Sequence, residues 1–179
     1  MIASGLLFSL PVQGADAPIP RTGQTQSFTV GDDGDLKKGV VPPNPRFSDN
    51  GDGTVTDHLT RLVWLKNAGC FGYPDWNAAM ASAATLADGA CGLADGSLAG
   101  DWRLPNIREL FSLIDLGQSN PALPLGHPFS GVVSYAGYWS SSTYAHRTGD
   151  AWNVHLSTGY VGTYGKTWHR RVWPVRGGQ

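Results

Sequence analysis

Trp139, Trp152, Trp168 and Trp173 crowd the last third of this chain, set among Gly, Ser, Thr and Tyr between Tyr138 and Gln179. Indole rings at this density need an ordered scaffold that buries some of them and holds the others, as an extracellular binding module does when it presents a sticky, largely uncharged surface. The 41% hydrophobic and 15% charged residues agree with a folded domain, and 179 residues suffice for one core. The 24 glycines and 12 prolines predict many turns and irregular loops, short strands and few helices.

The pattern along the chain predicts an α+β domain. Thr54 to Leu65 reads as a hairpin, with strands near Thr54 to Asp57 and Leu62 to Leu65 and a turn over Asp57 to Thr60. Trp76 to Ala87 reads as a helix with Trp76, Met80 and Ala83 on one face and Asp75 as N-cap. A second helix is expected from Pro105 or Asn106 to Ile114, because Ile107, Leu110, Phe111 and Ile114 recur at helical spacing. Pro121, Pro124 and Pro128 then forbid a long helix. Strands are expected at Tyr138 to Ser140, Ala151 to Leu156, Tyr160 to Tyr164 and Val172 to Arg176, together forming one small twisted antiparallel sheet. In the second of these, alternation puts Trp152, Val154 and Leu156 on one face and Asn153 and His155 on the other.

Residues 1–15 read as a signal peptide: Ile2 to Val12 is short and apolar, and small residues follow it, although the basic start is missing. A buried apolar N-terminus is the alternative. Residues 16–46 are polar and rich in Gly and Pro, as in an arm or linker, and the compact domain spans 47–179. No other stretch approaches the roughly 20 apolar residues that cross a bilayer, so a transmembrane protein is not expected. Cys70 and Cys91 are the only cysteines, and an even count in an exported chain suggests one disulfide, with free buried thiols as the alternative.

Charge excludes one class of partner. Thirteen Lys and Arg against fourteen Asp and Glu leave little field for steering toward nucleic acid, and no nucleic-acid partner is expected. Lys166, Arg170, Arg171 and Arg176 nevertheless lie near the end without an acidic neighbour in the chain.

No catalytic set is legible. His58, His127, His146, His155 and His169 are scattered, and Ser140, Ser141 and Ser142 lack a nucleophile elbow. Glu109, the sole glutamate, is assigned to a salt bridge or to backbone amides rather than to proton transfer. Asp49, Asp52 and Asp57 offer hard oxygens around glycines, but without EF-hand spacing a tight Asx or glycine turn is the preferred reading and a calcium loop the alternative. Calcium apart, no cofactor is expected. Trp139, Trp152 and Trp173 are expected to fill the core, while Trp168 and the tyrosines are expected at the surface.

Phe47 to Asp57, Leu62-Val63-Trp64, Gly100 to Leu110, Tyr138 to Ser142 and Val175 to Gly178 occur in order and together resemble the family named for the C-terminal domain of the Legionella collagen-like adhesin. That resemblance implies a bacterial, exported domain at the cell surface, in the periplasm or in the medium. It also implies a C-type lectin-like fold in the variant of formylglycine-generating proteins, with irregular twisted antiparallel sheets flanked by two helices. It implies structural roles for Trp102, Arg103, Pro105, Glu109 and Trp139. The named member binds sulfated glycosaminoglycans. This chain lacks the Glu-Pro-Asn and Trp-Asn-Asp motifs of calcium-dependent lectins, the late redox cysteine pair of formylglycine-generating enzymes and a collagen-like stalk. The expected function is therefore non-catalytic binding of an acidic or sulfated glycan or a surface protein, through Arg147, Tyr164, Lys166, Trp168, His169, Arg170 and Arg171. A structural envelope role, or an enzyme or accessory role in the sulfatase-modifying group, are the alternatives.

Overall fold

The computed structural model describes residues 19–178; the leader reading of residues 1–15 lies outside them. The chain is α+β, with two antiparallel sheets and short helices. The first sheet runs in the order β1 (Phe47–Asp49), β2 (Thr54–Asp57), β3 (Val63–Leu65) and β7 (Val175–Arg176). The second is β4 (Gly137–Thr143), β5 (Asp150–His155) and β6 (Tyr160–Gly165). Three helices complete the set: α1 (Asp33–Leu36), α2 (Trp76–Ala84) and α3 (Ile107–Ser112).

The expectation of one late sheet is corrected at its last strand. Arg171 is bridged to Tyr138 on β4, but four residues later Val175 pairs with Trp64 on β3. Residues 171–176 therefore cross from the second sheet to the first. Pro174 has no N–H for a ladder, and its carbonyl accepts from the Leu65 amide at 3.1 Å, so regular pairing is confined to β7. The β2–β3 turn is held by Asp57, whose buried carboxylate accepts from the Leu59 amide and the Thr60 hydroxyl, both at 2.9 Å, and pairs with Arg46 at 3.1 Å.

The main core lies between the sheets. Trp173 is fully buried, with Trp64, Phe129 and Tyr138 at ring distances of 5.8, 4.8 and 5.5 Å. The surface expectation for the tyrosines is corrected at Tyr138, which is fully buried with its hydroxyl accepting from the Val133 amide at 2.9 Å. A smaller core on the other side of the second sheet joins Ala79 and Ala83 of α2 to Leu104, Trp139, Ala151 and Val172. The sheet is thus covered on both faces. Ala151 and Asn153 are buried along with Val154 and Leu156, and Trp152 is half-buried, unlike the one-sided strand that alternation predicts.

Helix α2 starts at the Asp75 N-cap, whose side chain accepts from the Ala78 amide at 2.8 Å, and its alanines allow close approach to the sheet. Helix α3 carries a capping box between Asn106 and Glu109. The Arg103 guanidinium grips Glu109 with two bonds of 2.7 and 2.8 Å and donates to the Gly177 carbonyl at 3.0 Å, tying the start of α3 to the chain just after β7. Trp102 is buried and donates to the Ser97 hydroxyl at 3.0 Å, while the buried Pro105 accepts from the Ser141 amide at 2.8 Å.

Residues 19–46 lie along this body. Pro20 and Val40 form a parallel bridge, α1 makes a single turn, and the Leu116 amide donates to the Thr22 carbonyl at 2.7 Å. The Thr22 hydroxyl also bonds the Asp33 carboxylate.

Cys70 and Cys91 are disulfide-bonded, 21 residues apart in sequence. Loop-closure entropy gives such a bridge about 3 kcal/mol. The double variant Cys70→Ser, Cys91→Ser is expected to melt roughly 6–12 °C below the native protein, a shift measured by thermal unfolding; an unchanged midpoint would remove the bridge from the stability of the fold.

Burial pushes the Glu109 carboxyl up, but the Arg103 hydrogen bonds, the Asn106 amide and the Arg103 charge outweigh it and hold the group below its ordinary value of 4.5. A carboxylate depressed in the folded state stabilises the protein above its unfolded pKa, and that contribution fades as pH falls through the folded value. Glu109→Gln is expected to lose about 2 kcal/mol at pH 7. Denaturant titrations should show this deficit narrowing once the pH is taken below 4.5; a deficit independent of pH would mean that the ion pair contributes nothing.

Candidate ligand-binding face

Strand β6 ends at Gly165, and the chain turns at once, the Trp168 amide donating to the Gly165 carbonyl at 2.9 Å. The segment that follows lies against residues 73–76. The Trp76 amide donates to the Lys166 carbonyl at 2.9 Å and the Arg170 amide to the Pro74 carbonyl at 3.2 Å. The indole N–H of the buried Trp139 also donates to the Pro74 carbonyl, at 3.3 Å. The second sheet and the entry to α2 thereby bring two aromatic-bearing segments together.

Each cation here rests on a ring. Lys166 Nζ lies 4.1 Å from the Trp76 ring and donates to the Thr143 hydroxyl at 2.8 Å. The Arg170 guanidinium lies 3.9 Å from the Tyr164 ring and 5.9 Å from Trp168. Arg171 lies 4.0 Å from the Tyr73 ring and donates to the Phe71 carbonyl at 3.4 Å. Trp168 is 58% exposed, enough to offer an indole face to a ligand, and His169 is exposed beside it. Arg147 sits on the adjacent turn, since the Lys166 amide donates to the Gly149 carbonyl at 2.8 Å.

Carboxylates leave this face largely uncompensated. Arg46, Lys66, Arg103, Arg147 and Arg176 are ion-paired, whereas among the described residues Lys166, Arg170 and Arg171 have no acidic partner within salt-bridge distance. Asp75 is committed to its helix cap, and Asp150 faces Arg147 at 3.5 Å. Rings lower the electrostatic energy of stacked cations without neutralising them, so the face retains positive charge in contact with apolar surface.

The expected site residues thus fall on one side of the molecule, with Arg147 at its margin through its own ion pair. Tyr73 and Trp76 were missed as ring partners. The signal for them was weak, because in sequence Trp76 reads as the first apolar residue of a helix.

The aspartates of the candidate calcium loop are not brought together. Asp49 pairs with Lys66 at 2.6 Å and accepts from the Gly51 amide, Asp52 accepts from the Thr54 amide and hydroxyl, and Asp57 is buried against Arg46. Among the described residues no group of three or more His, Cys, Asp or Glu could hold a metal ion. The local geometry is that of Asx turns leading into β2. Two clefts lie elsewhere, one of about 260 Å³ between the N-terminal segment and Ile114 to Leu125, the other of about 370 Å³ beside Cys91 and Lys66.

The chain belongs to the Lcl C-terminal domain family, whose model matches residues 53–176, from the turn before β2 to the end of β7. No curated protein matches it. Among the described residues no helix is long and apolar enough to cross a membrane.

Proposed function

We propose that this protein is an exported, non-catalytic binding module of C-type lectin-like architecture that recognises acidic or sulfated glycans through the face around Trp168. The observation that carries the reading is the grouping of Lys166, Arg170 and Arg171, each on an aromatic ring and none paired with a carboxylate among the described residues, next to a largely exposed indole. Tyr and Trp stack on the apolar faces of sugars, and cations meet sulfate or carboxylate groups at their edges. Membership of a family named for an adhesin supports a binding role, and the disulfide fits an oxidising, extracytoplasmic location.

A structural envelope role predicts scattered surface aromatics, and the grouping here weighs against it. An enzymatic role would call on Glu109 beside a second acid, but its carboxylate is engaged by Arg103 and by the Asn106 amide. A surface protein is the remaining class of partner.

Binding of the full chain to immobilised heparin tests the proposal. Saturable binding that weakens with salt is expected, together with its loss in the Lys166→Glu, Arg170→Glu, Arg171→Glu variant and its retention in Arg108→Glu, which alters an exposed charge on α3. Absence of binding by the native chain at low salt would overturn the glycan reading and favour a protein partner.

A further inference from the structure

The three cations of the face are not equivalent. All three are half-buried, and Lys166 has its ammonium between the Trp76 ring and the Thr143 hydroxyl. Arg171 is a tether: its main chain pairs with β4, its Nη1 reaches the Phe71 carbonyl, and its buried Nε has no partner. Both hold the 71–76 segment and the strand ends in place. Arg170 stacks on Tyr164 with Trp168 alongside, and among the described residues its guanidinium makes one hydrogen bond, from Nη1 to the neighbouring His169 carbonyl at 3.0 Å.

The fold makes room for that placement. A Cβ on Gly137 would lie 2.9 Å from Arg170 Cδ, 3.0 Å from its Nε and 2.9 Å from Oδ1 of the buried Asn153. Asn153 cannot yield easily, because its side-chain amide donates to the Gly162 carbonyl at 2.9 Å. Gly137 is not in a left-handed conformation, so space, and not backbone freedom, is what the glycine supplies. The stem of Arg170 is thus laid across Gly137 and its head is pinned on Tyr164, with most of its donors left over.

We infer that Arg170 is the residue that reads the anionic group of the ligand, that Trp168 is the platform for the sugar ring carrying it, and that Gly137 is the positioning residue which keeps Arg170 there. This rests on the glycan reading above and narrows it to a pyranose bearing a sulfate or carboxylate at the edge of its apolar face. A guanidinium already stacked loses little freedom on binding, and its planar fork matches a two-oxygen acceptor in a way an ammonium does not. Lys166 and Arg171 add charge to the face while also holding its scaffold in place.

The test is calorimetric titration of the full chain with a sulfated heparin disaccharide, an unsulfated hyaluronan tetrasaccharide and neutral cellobiose, with thermal unfolding of every variant. Arg170→Gln is expected to lose at least about tenfold in affinity, equivalent to about 1.4 kcal/mol, for whichever anionic sugar binds, with little change in melting midpoint. Arg170→Lys should not restore it, and Gly137→Ala should lose affinity in parallel. Lys166→Gln and Arg171→Gln should lower the midpoint more than Arg170→Gln does and cost the folded protein distinctly less affinity. Both sugars carry a uronate carboxylate, so dependence on Arg170 of the disaccharide alone identifies sulfate, and dependence of both identifies carboxylate. Equal losses in Arg170→Gln and Lys166→Gln, full rescue by Arg170→Lys, or cellobiose binding as tight as the anionic sugars would overturn the inference while leaving glycan binding standing. Failure of the native chain to bind either anionic sugar would bring down the glycan reading itself.

Discussion

Trp173 is the contact on which the rest of the structure depends. It follows the residue that leaves the second sheet and precedes the strand that enters the first by two positions, so its side chain sits where the sheets meet. Its ring meets Trp64 from β3, Tyr138 from β4 and Phe129 from the segment between α3 and β4, and its indole N–H donates to the Leu65 carbonyl at 2.8 Å. Sheets with strands of two to seven residues offer few inward positions. Large rings fill such a core with few residues, and their edge-to-face contacts fix relative orientation as well as distance.

That anchor also places the candidate binding face. Residues 169–171 arrive there on the stretch of chain that Trp173 pins, and the Arg171 carbonyl accepts from the Trp139 amide at 2.9 Å. On the other side Trp139 holds Pro74, and the disulfide at Cys70 fixes the start of the segment that ends at the α2 cap. The aromatic face is therefore edged by two irregular segments, each tethered within a few residues to buried structure. A loop-rich surface held this way keeps its side chains in one arrangement without long regular elements.

Local pattern made much of this legible. The β2–β3 hairpin, the Asp75 cap, α3 and the β5–β6 hairpin each announce themselves within a dozen residues through alternation, helical spacing or a Gly-containing turn. What local pattern cannot carry is partnership at a distance. Val172 to Arg176 is apolar enough for a strand anywhere, and only Pro174, the bridge at Arg171 and the pairing of Val175 with Trp64 divide it between two sheets. β1, three residues long, has no alternation to read and is defined by its pairing with β2. The face was half legible: the run from Lys166 to Arg171 marks its cations, but Tyr73 and Trp76 join it from about ninety residues earlier. In the aspartate loop the turn reading prevails over the calcium one, since Asp49 and Asp57 are drawn apart by Lys66 and Arg46 and Asp49 and Asp52 bond their own backbone turns.

The distribution of charge says how such a face would have to work. A formal net charge of −1 gives the molecule almost no attraction for a distant polyanion, and fields from a few exposed cations are screened over about 8 Å at physiological salt. Recognition must then be settled at contact, where geometry counts for more than total charge. Five of the cations are committed to carboxylates that stabilise turns, helix starts and strand ends. Arg46 and Arg176 combine such an ion pair with a ring contact, whereas Lys166, Arg170 and Arg171 are held on rings with the charge left unmatched among the described residues. An aromatic platform can in this way keep a cation rigid and still available, which a carboxylate partner cannot do.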